Sequence, residues 1–150
     1  MPELQRRPRG LLDTSVVIDL ERLSPDDLPI ELAVSAVTMA ELATGPQAAT
    51  DPAERARRIA LIQHAEDTFD QLPFDLSAAR VYGRINAAVI AAGRKARGRR
   101  AMDLLIAATA LSNELPLCTH NLDDFAGLED LLEIIAIPSP GAPTHSSAQP

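Results

Sequence analysis

Gly10-Leu11-Leu12-Asp13-Thr14-Ser15-Val16-Val17-Ile18 is a short apolar run that stops at a carboxylate, passes two hydroxyl residues and resumes as a second apolar run. It reads as a buried strand near residues 10–13 that ends at Asp13 and turns into a helix near 15–23. Parallel α/β sheets gather their functional groups beyond the carboxyl ends of the strands. A carboxylate at such an end is therefore a candidate for chemistry.

Two further acidic residues stand in comparable places. Glu41 lies in Ser35-Ala36-Val37-Thr38-Met39-Ala40-Glu41-Leu42, just past a second candidate strand at 31–35. Asp103 opens the most apolar helix of the chain, predicted over about 101–113. Taken singly, each has an ordinary reading: Asp13 as a helix cap, Asp103 in a first turn against the helix dipole, Glu41 facing solvent. Together at one sheet edge, three carboxylates repel unless a divalent cation lies between them. The chain reads as a metal-dependent enzyme.

The rest of the chain alternates strand and helix. Thr38 is a plausible start for a helix to about 44, which Gly45-Pro46 should end. Asp51-Pro52 opens a helix over 52–70, with Ile59, Ile62, Ala65 and Phe69 on its apolar face and Arg55, Arg57, Arg58, Glu66 and Asp67 opposite. Residues 71–74 form a short third strand. A helix over 76–92 follows, with Ser77 available to cap it. Strands at 116–119 and 132–137 complete the order. These features divide the chain into a flexible N-terminus (1–9), one folded domain (10–137) and a disordered Pro/Ser-rich tail (138–150).

With 150 residues, a single core is expected. Aromatics make up 3% and tryptophan is absent, so that core must come from Leu, Ile, Val and Ala. The lone Cys118 cannot form an internal disulfide and reads as a buried thiol in a reducing cytoplasm. Arg6, Arg7 and Arg9 ahead of an apolar stretch suggest a signal peptide only superficially, because Asp13 and Asp19 interrupt it. No uncharged run is long enough to span a bilayer. The expected protein is soluble and cytoplasmic.

The net charge of −7 argues against a nucleic-acid partner, but its distribution argues the other way. Arg94, Lys95, Arg97, Arg99 and Arg100 are concentrated in one segment with Gly93 and Gly98, just before Asp103. A basic loop beside an acidic site suits an anionic, metal-dependent substrate. The plain alternative is a solvated interhelical loop.

The acidic order and its flanks resemble the PIN-domain nucleases, and among them the VapC-type toxins of toxin–antitoxin pairs. Four stretches carry the match: Leu11-Leu12-Asp13-Thr14-Ser15, residues 35–42 as quoted above, Met102-Asp103-Leu104-Leu105-Ile106-Ala107-Ala108-Thr109-Ala110, and Leu117-Cys118-Thr119-His120-Asn121-Leu122-Asp123-Asp124-Phe125. The resemblance spans about 10–137. It implies an α/β, PIN-like three-layer fold with a short parallel sheet flanked by helices. It also implies a Mg²⁺- or Mn²⁺-dependent endoribonuclease that leaves 5′-phosphate and 3′-hydroxyl ends.

Carried across, Asp13, Glu41 and Asp103 form the acidic site, with Asp13 and Asp103 touching metal, and Ser15 and Thr119 occupy small hydroxyl positions lining it. Many PIN domains carry a fourth acidic residue after the fourth strand. Asn121 stands there, and Asp124 is the favoured substitute, leaving open whether one or two metals bind. Arg94 to Arg100 would hold RNA phosphates, and the shortage of aromatics favours structured tRNA or rRNA over stacked single strands. The expected partners are RNA, a cognate VapB-type antitoxin and a second copy of the chain. His120 is expected to be structural. A receiver domain would need a paired acidic cluster after its first strand and a late lysine. A haloacid-dehalogenase-type phosphatase would need an aspartate where Ser15 stands. The remaining alternative is a non-catalytic PIN-fold module that binds RNA or acts as a scaffold.

Overall fold

A computed structural model describes residues 7–141. Among the described residues, five strands, β1 (Arg9–Leu12), β2 (Glu31–Ser35), β3 (Asp70–Leu72), β4 (Leu117–Thr119) and β5 (Ile134–Ala136), and five α-helices, α1 (Thr14–Ile18), α2 (Ala36–Ala48), α3 (Pro52–Thr68), α4 (Leu76–Ala91) and α5 (Arg99–Ser112), follow in the order β1-α1-β2-α2-α3-β3-α4-α5-β4-β5. The strands form one sheet in the order β3-β2-β1-β4-β5, and every adjacent pair is parallel. β1 is central, with Leu12 opposite Val34 of β2 and Cys118 of β4. The connection changes direction between β1 and β4, the place where open parallel sheets leave a crevice.

Successive strand residues point to opposite faces, and here both faces are covered. Leu11, Ala33 and Leu117 join Ile85 and Val89 of α4 and Leu104 and Ile106 of α5 in one core. Leu12, Val34 and Cys118 join Val16, Val17, Leu42, Ala65 and Phe69, from α1, α2, α3 and the end of α3, in the other. That is the expected three-layer arrangement, and it explains why the strands are apolar runs. Burial pushes the Cys118 thiol up to about 12, far from a reactive thiolate.

Several local expectations are corrected. α2 does not end at Gly45-Pro46 but continues to Ala48, and its cap is Ser35, whose Oγ accepts from Val37 N at 3.0 Å. Side chains from α3 take up the carbonyls at its end: Arg58 donates to Gly45 O at 2.8 Å, and Arg55 to Pro46 O and Ala49 O at 3.2 and 2.9 Å. Satisfied carbonyls let the last turn persist through a proline. Arg55 and Arg58, on the polar face of α3, are thus also helix-end partners, and they secure the helix that carries Glu41.

α4 is capped by Asp75, which accepts from Ala78 N at 3.0 Å, and not by Ser77. α1 stops at Ile18 and passes into a 3-10 turn at Leu20–Arg22. α5 starts at Arg99 rather than near 101, so Arg99 and Arg100 are helical. At the N-terminus, Arg9 already pairs with Glu31, and Arg7 and Pro8 accept backbone hydrogen bonds from Ile30 and Glu31. Residues 7–9 of the predicted flexible stretch 1–9 are thus held by hydrogen bonds and strand pairing; residues 1–6, and 142–150 of the predicted tail, lie outside the described residues. Among the described residues, no helix is long and apolar enough to cross a membrane.

Gly10 shows how tightly β1 is enclosed. A Cβ there would lie 2.6 Å from Pro29 Cγ and 3.1 Å from Cys118 Sγ, whereas one at Gly83 on α4 would meet nothing within 4 Å. Gly10→Ala should therefore lower stability by about 1–3 kcal/mol. Gly83→Ala should raise it by about 0.5–1 kcal/mol. Urea titration of the two variants checks the opposite signs.

Candidate active site

Asp13 follows β1 directly, and the residue is 5% exposed. Burial of a charge needs compensating hydrogen bonds, and Asp13 has three. Oδ1 accepts from Thr14 N at 2.9 Å, and Oδ2 accepts from Ser15 Oγ at 3.0 Å and Thr119 Oγ1 at 2.9 Å. Asp13 is the N-cap of α1, as its ordinary reading supposed, but the hydroxyl pair shows that the cap is only part of its environment. Thr119 is fully buried at the end of β4, and the β1–β4 register sets it beside Asp13.

Glu41, one turn and a half into α2, accepts from Thr14 Oγ1 at 2.8 Å. Thr14 Oγ1 is 3.0 Å from Thr38 Oγ1, so Thr38 donates to Thr14 while Thr14 donates to Glu41. Thr14 and Thr38 were missed as site residues. Thr14 was visible beside Asp13, but its partner 24 positions away was not. Thr38, read from sequence as a helix start, is instead a fully buried hydroxyl inside α2.

Asp103 lies on the second turn of α5, not at its opening. Asp13, Glu41, Asp103 and Asp124 line one cleft of about 1020 Å³ together with Ser15, Asn121, Arg97, Arg99 and Arg100. Burial raises the Asp103 carboxyl to about 7, aided by the nearby Asp13, Asp124 and Glu41 charges and opposed by Arg99. Asp13 is also pushed above the usual carboxylate range, chiefly by burial, against the hydrogen bonds from Thr119, Ser15 and Thr14.

Among the described residues, no three His, Cys, Asp or Glu side chains come close enough to hold one ion directly. The expected set Asp13, Glu41 and Asp103 therefore surrounds the cleft rather than forming a compact cage. The donors are all oxygens, and their mutual repulsion adds to the burial that raises Asp103. This suits a hard cation such as Mg²⁺, which binds few carboxylates directly and keeps several waters.

The basic segment divides. Arg97, Arg99 and Arg100 line the cleft, whereas Lys95 is exposed away from it. Arg94 is engaged elsewhere, with Nη2 donating to Asp123 Oδ1 at 2.7 Å and Nη1 to Asp123 O at 3.2 Å. Asn121 caps the 3-10 turn Leu122–Phe125, its Oδ1 accepting from Asp123 N at 3.1 Å, and Asp124 of that turn reaches the cleft. His120 sits outside the cleft lining, with Nδ1 donating to Ile137 O at 2.9 Å and Nε2 3.2 Å from Asp19 Oδ2.

A carboxyl whose folded pKa exceeds its unfolded value favours folding only while protonated. For Asp103 that contribution is fully present below the ordinary carboxyl value of 3.8 and is lost as pH rises toward about 7. Without divalent metal, Asp103→Asn should stabilise the protein above pH 7 by about 2 kcal/mol, a figure reduced for partial solvent screening, and by almost nothing near pH 4. Thermal melts in EDTA across this range check it; equal melting temperatures at pH 7.5 would contradict it.

The sequence and fold have relatives. Residues 10–131 match the PIN domain family. Ribonuclease VapC5 of Mycobacterium tuberculosis is 39% identical over 133 residues, spanning 85% of this chain and 95% of that protein. Ribonuclease VapC4 of the same organism is 35% identical over 133 residues, spanning 86% and 97%. The crystal structure of VapBC-5, a member of the VapBC family of toxin–antitoxin systems from M. tuberculosis, aligns with a TM-score of 0.74 at 38% identity, covering 87% of this chain and 98% of that one. The structure of VapBC-1 from nontypeable Haemophilus influenzae aligns at 0.66 and 28% identity, covering 83% and 96%. A four-carboxylate cleft beyond a parallel sheet and this likeness along nearly the whole described chain lead to one placement: the protein belongs to the PIN-domain family, among its VapC members.

Proposed function

We propose that the chain is a Mg²⁺- or Mn²⁺-dependent endoribonuclease toxin that cuts structured RNA and is neutralised by a cognate VapB-type antitoxin. The observation that carries the reading is the meeting of Asp13, Glu41, Asp103 and Asp124 with Arg97, Arg99 and Arg100 around one cleft. Carboxylates alone would repel a phosphodiester. Arginines in the same lining give its oxygens charged, planar donors.

Asp13 and Asp103 are the residues that would hold the ion, with Glu41 and Asp124 contributing negative charge around it. A divalent ion bound there supplies an acidified water and neutralises phosphate oxygens in an in-line displacement. Ser15 and Thr119 hold Asp13 in one orientation, and Thr14 does the same for Glu41. Arg97, Arg99 and Arg100 orient the RNA backbone. Among the described residues, no aromatic side chain lines the cleft, which favours reading a tRNA or rRNA by shape and backbone.

The relatives support one of the proposed partners. The two solved relatives described above are VapBC assemblies, which supports an antitoxin for this chain. The homodimer remains part of the proposal, with exposed Ile59, Leu76 and Ile90 on α3 and α4 as apolar surface for it. Sedimentation of the isolated chain tests it: a single monomeric species at micromolar concentration would remove the dimer.

Purified protein should cut total tRNA or rRNA with Mg²⁺ or Mn²⁺ and not with EDTA, and Asp13→Asn and Asp103→Asn should each lose at least a hundredfold in rate, about 2.7 kcal/mol. Expression of the chain without antitoxin should arrest growth, and neither variant should do so. Neutralising Arg97, Arg99 and Arg100 together should weaken RNA binding and flatten its salt dependence by about three phosphate contacts. Metal binding with no RNA cut from any pool would move the reading to a binding module.

A further inference from the structure

Arg94 was grouped with the arginines that meet RNA, yet its guanidinium is committed to another part of the chain. One nitrogen donates to the backbone carbonyl of Asp123 and another to its carboxylate, 29 positions along the chain. Asp123 N in turn donates to Asn121 Oδ1 at 3.1 Å, and Asp124 N to Asn121 O at 3.3 Å. Asn121 N donates to Thr119 Oγ1 at 3.1 Å, and that hydroxyl donates to Asp13 at 2.9 Å. A continuous hydrogen-bonded line thus runs from the end of α4 to the buried carboxylate of the cleft.

The same two segments touch a second time. Gly127, at φ +97°, approaches α4 so closely that a Cβ would lie 2.9 Å from Ala92 Cβ and 3.5 Å from Ala88 O. The turn carrying Asp124 is therefore set against α4 on both sides, by Arg94 before Asp124 and by Gly127 after it. Pairing with Arg94 also directs the Asp123 charge away from the cleft, which Asp124 lines and Asp123 does not.

We propose that Arg94 is a positioning residue: its two-pronged hold on Asp123 fixes the 121–124 turn so that Asp124 faces the cleft, and it does not bind RNA. The inference deepens the ribonuclease reading and rests on it for its kinetic consequence, but not for its effect on cation binding. Arg94 and Asp123 are partly exposed, 29% and 74% in their side chains, so breaking the pair should leave the fold intact.

The test compares Arg94→Ala, Arg94→Lys, Asp123→Ala and the double variant Arg94→Ala/Asp123→Ala. Arg94→Ala and Asp123→Ala should each lower kcat about tenfold with KM within twofold of wild type, and the double variant should lose no more than either. Arg94→Lys should recover only part, because an ammonium cannot span both oxygens. Mn²⁺ titration by calorimetry, without RNA, should show both single variants weakened by the same factor of about three. An Arg94→Ala that raises KM and flattens the salt dependence of RNA binding, beside an Asp123→Ala that behaves as wild type, would overturn the proposal. If the wild-type protein binds Mn²⁺ but cuts no RNA, the ribonuclease reading fails and equal weakening in the two variants still upholds the hold on the turn. Unaltered Mn²⁺ affinity in both variants, or no Mn²⁺ binding by the wild type, overturns it.

Discussion

Burying a carboxylate at the end of a central parallel strand is costly unless the surrounding chain supplies donors, and Asp13 is 5% exposed. Its donors come from two directions. Thr14 and Ser15 are local, while Thr119 arrives 106 residues later through the pairing of β4 with β1. A β4 register shifted by one residue would turn Thr119 away and leave Cys118 at its place. The sheet topology and the site are therefore a single constraint. The crevice between β1 and β4 exists because the chain reverses its crossover there, and Asp13 is affordable there because the two strand ends meet.

From that point the remaining carboxylates accumulate against one another. Glu41 is delivered by α2, whose final turn depends on Arg55 and Arg58 of α3. Asp103 is delivered by α5, whose apolar residues from Leu104 to Ala110 fix its depth against the sheet. Ser35 Oγ and Thr109 Oγ1, 3.3 Å apart and buried, tie the end of β2 to the same helix. Burial, reinforced by the repulsion among them, lifts Asp103 to about 7. Arg99 and Arg100 in the first turn of α5 run against the helix dipole, an unfavourable placement for cations. Their position beside Asp103 and at the cleft gives that placement a use, because Arg99 opposes the acidic field one turn away.

Much of the architecture was legible in the sequence because each signal was local. The strands near 10–13 and 31–35, the helix opened by Asp51-Pro52 and the buried helix around Asp103 each carried their own periodicity and punctuation. What escaped was set by contacts distant in sequence. Gly45-Pro46 is a helix stop by local chemistry, and only Arg55 and Arg58 reaching across from α3 let α2 continue. Asp75 rather than Ser77 caps α4, a choice between neighbouring residues that local pattern could not separate. At the site, Asp13, Glu41 and Asp103 were named from strand ends and flanks and Asp124 was preferred to Asp123, and these four carboxylates line the cleft while Asp123 does not. Thr14 and Thr38 were not, because a hydroxyl pair spanning α1 and α2 leaves no trace in either stretch alone. The basic segment looked uniform from 94 to 100, yet Arg94 is bound to Asp123 while Arg97, Arg99 and Arg100 face the cleft.

The central claim is that the four-carboxylate cleft is where a divalent cation and the scissile phosphate meet. Anomalous diffraction from crystals grown with Mn²⁺ tests it most directly. The account predicts a Mn²⁺ peak in the cleft within bonding distance of Asp13 or Asp103, with waters completing its coordination. A Mn²⁺ bound outside the cleft, or a cleft that takes none at saturating Mn²⁺, would contradict it.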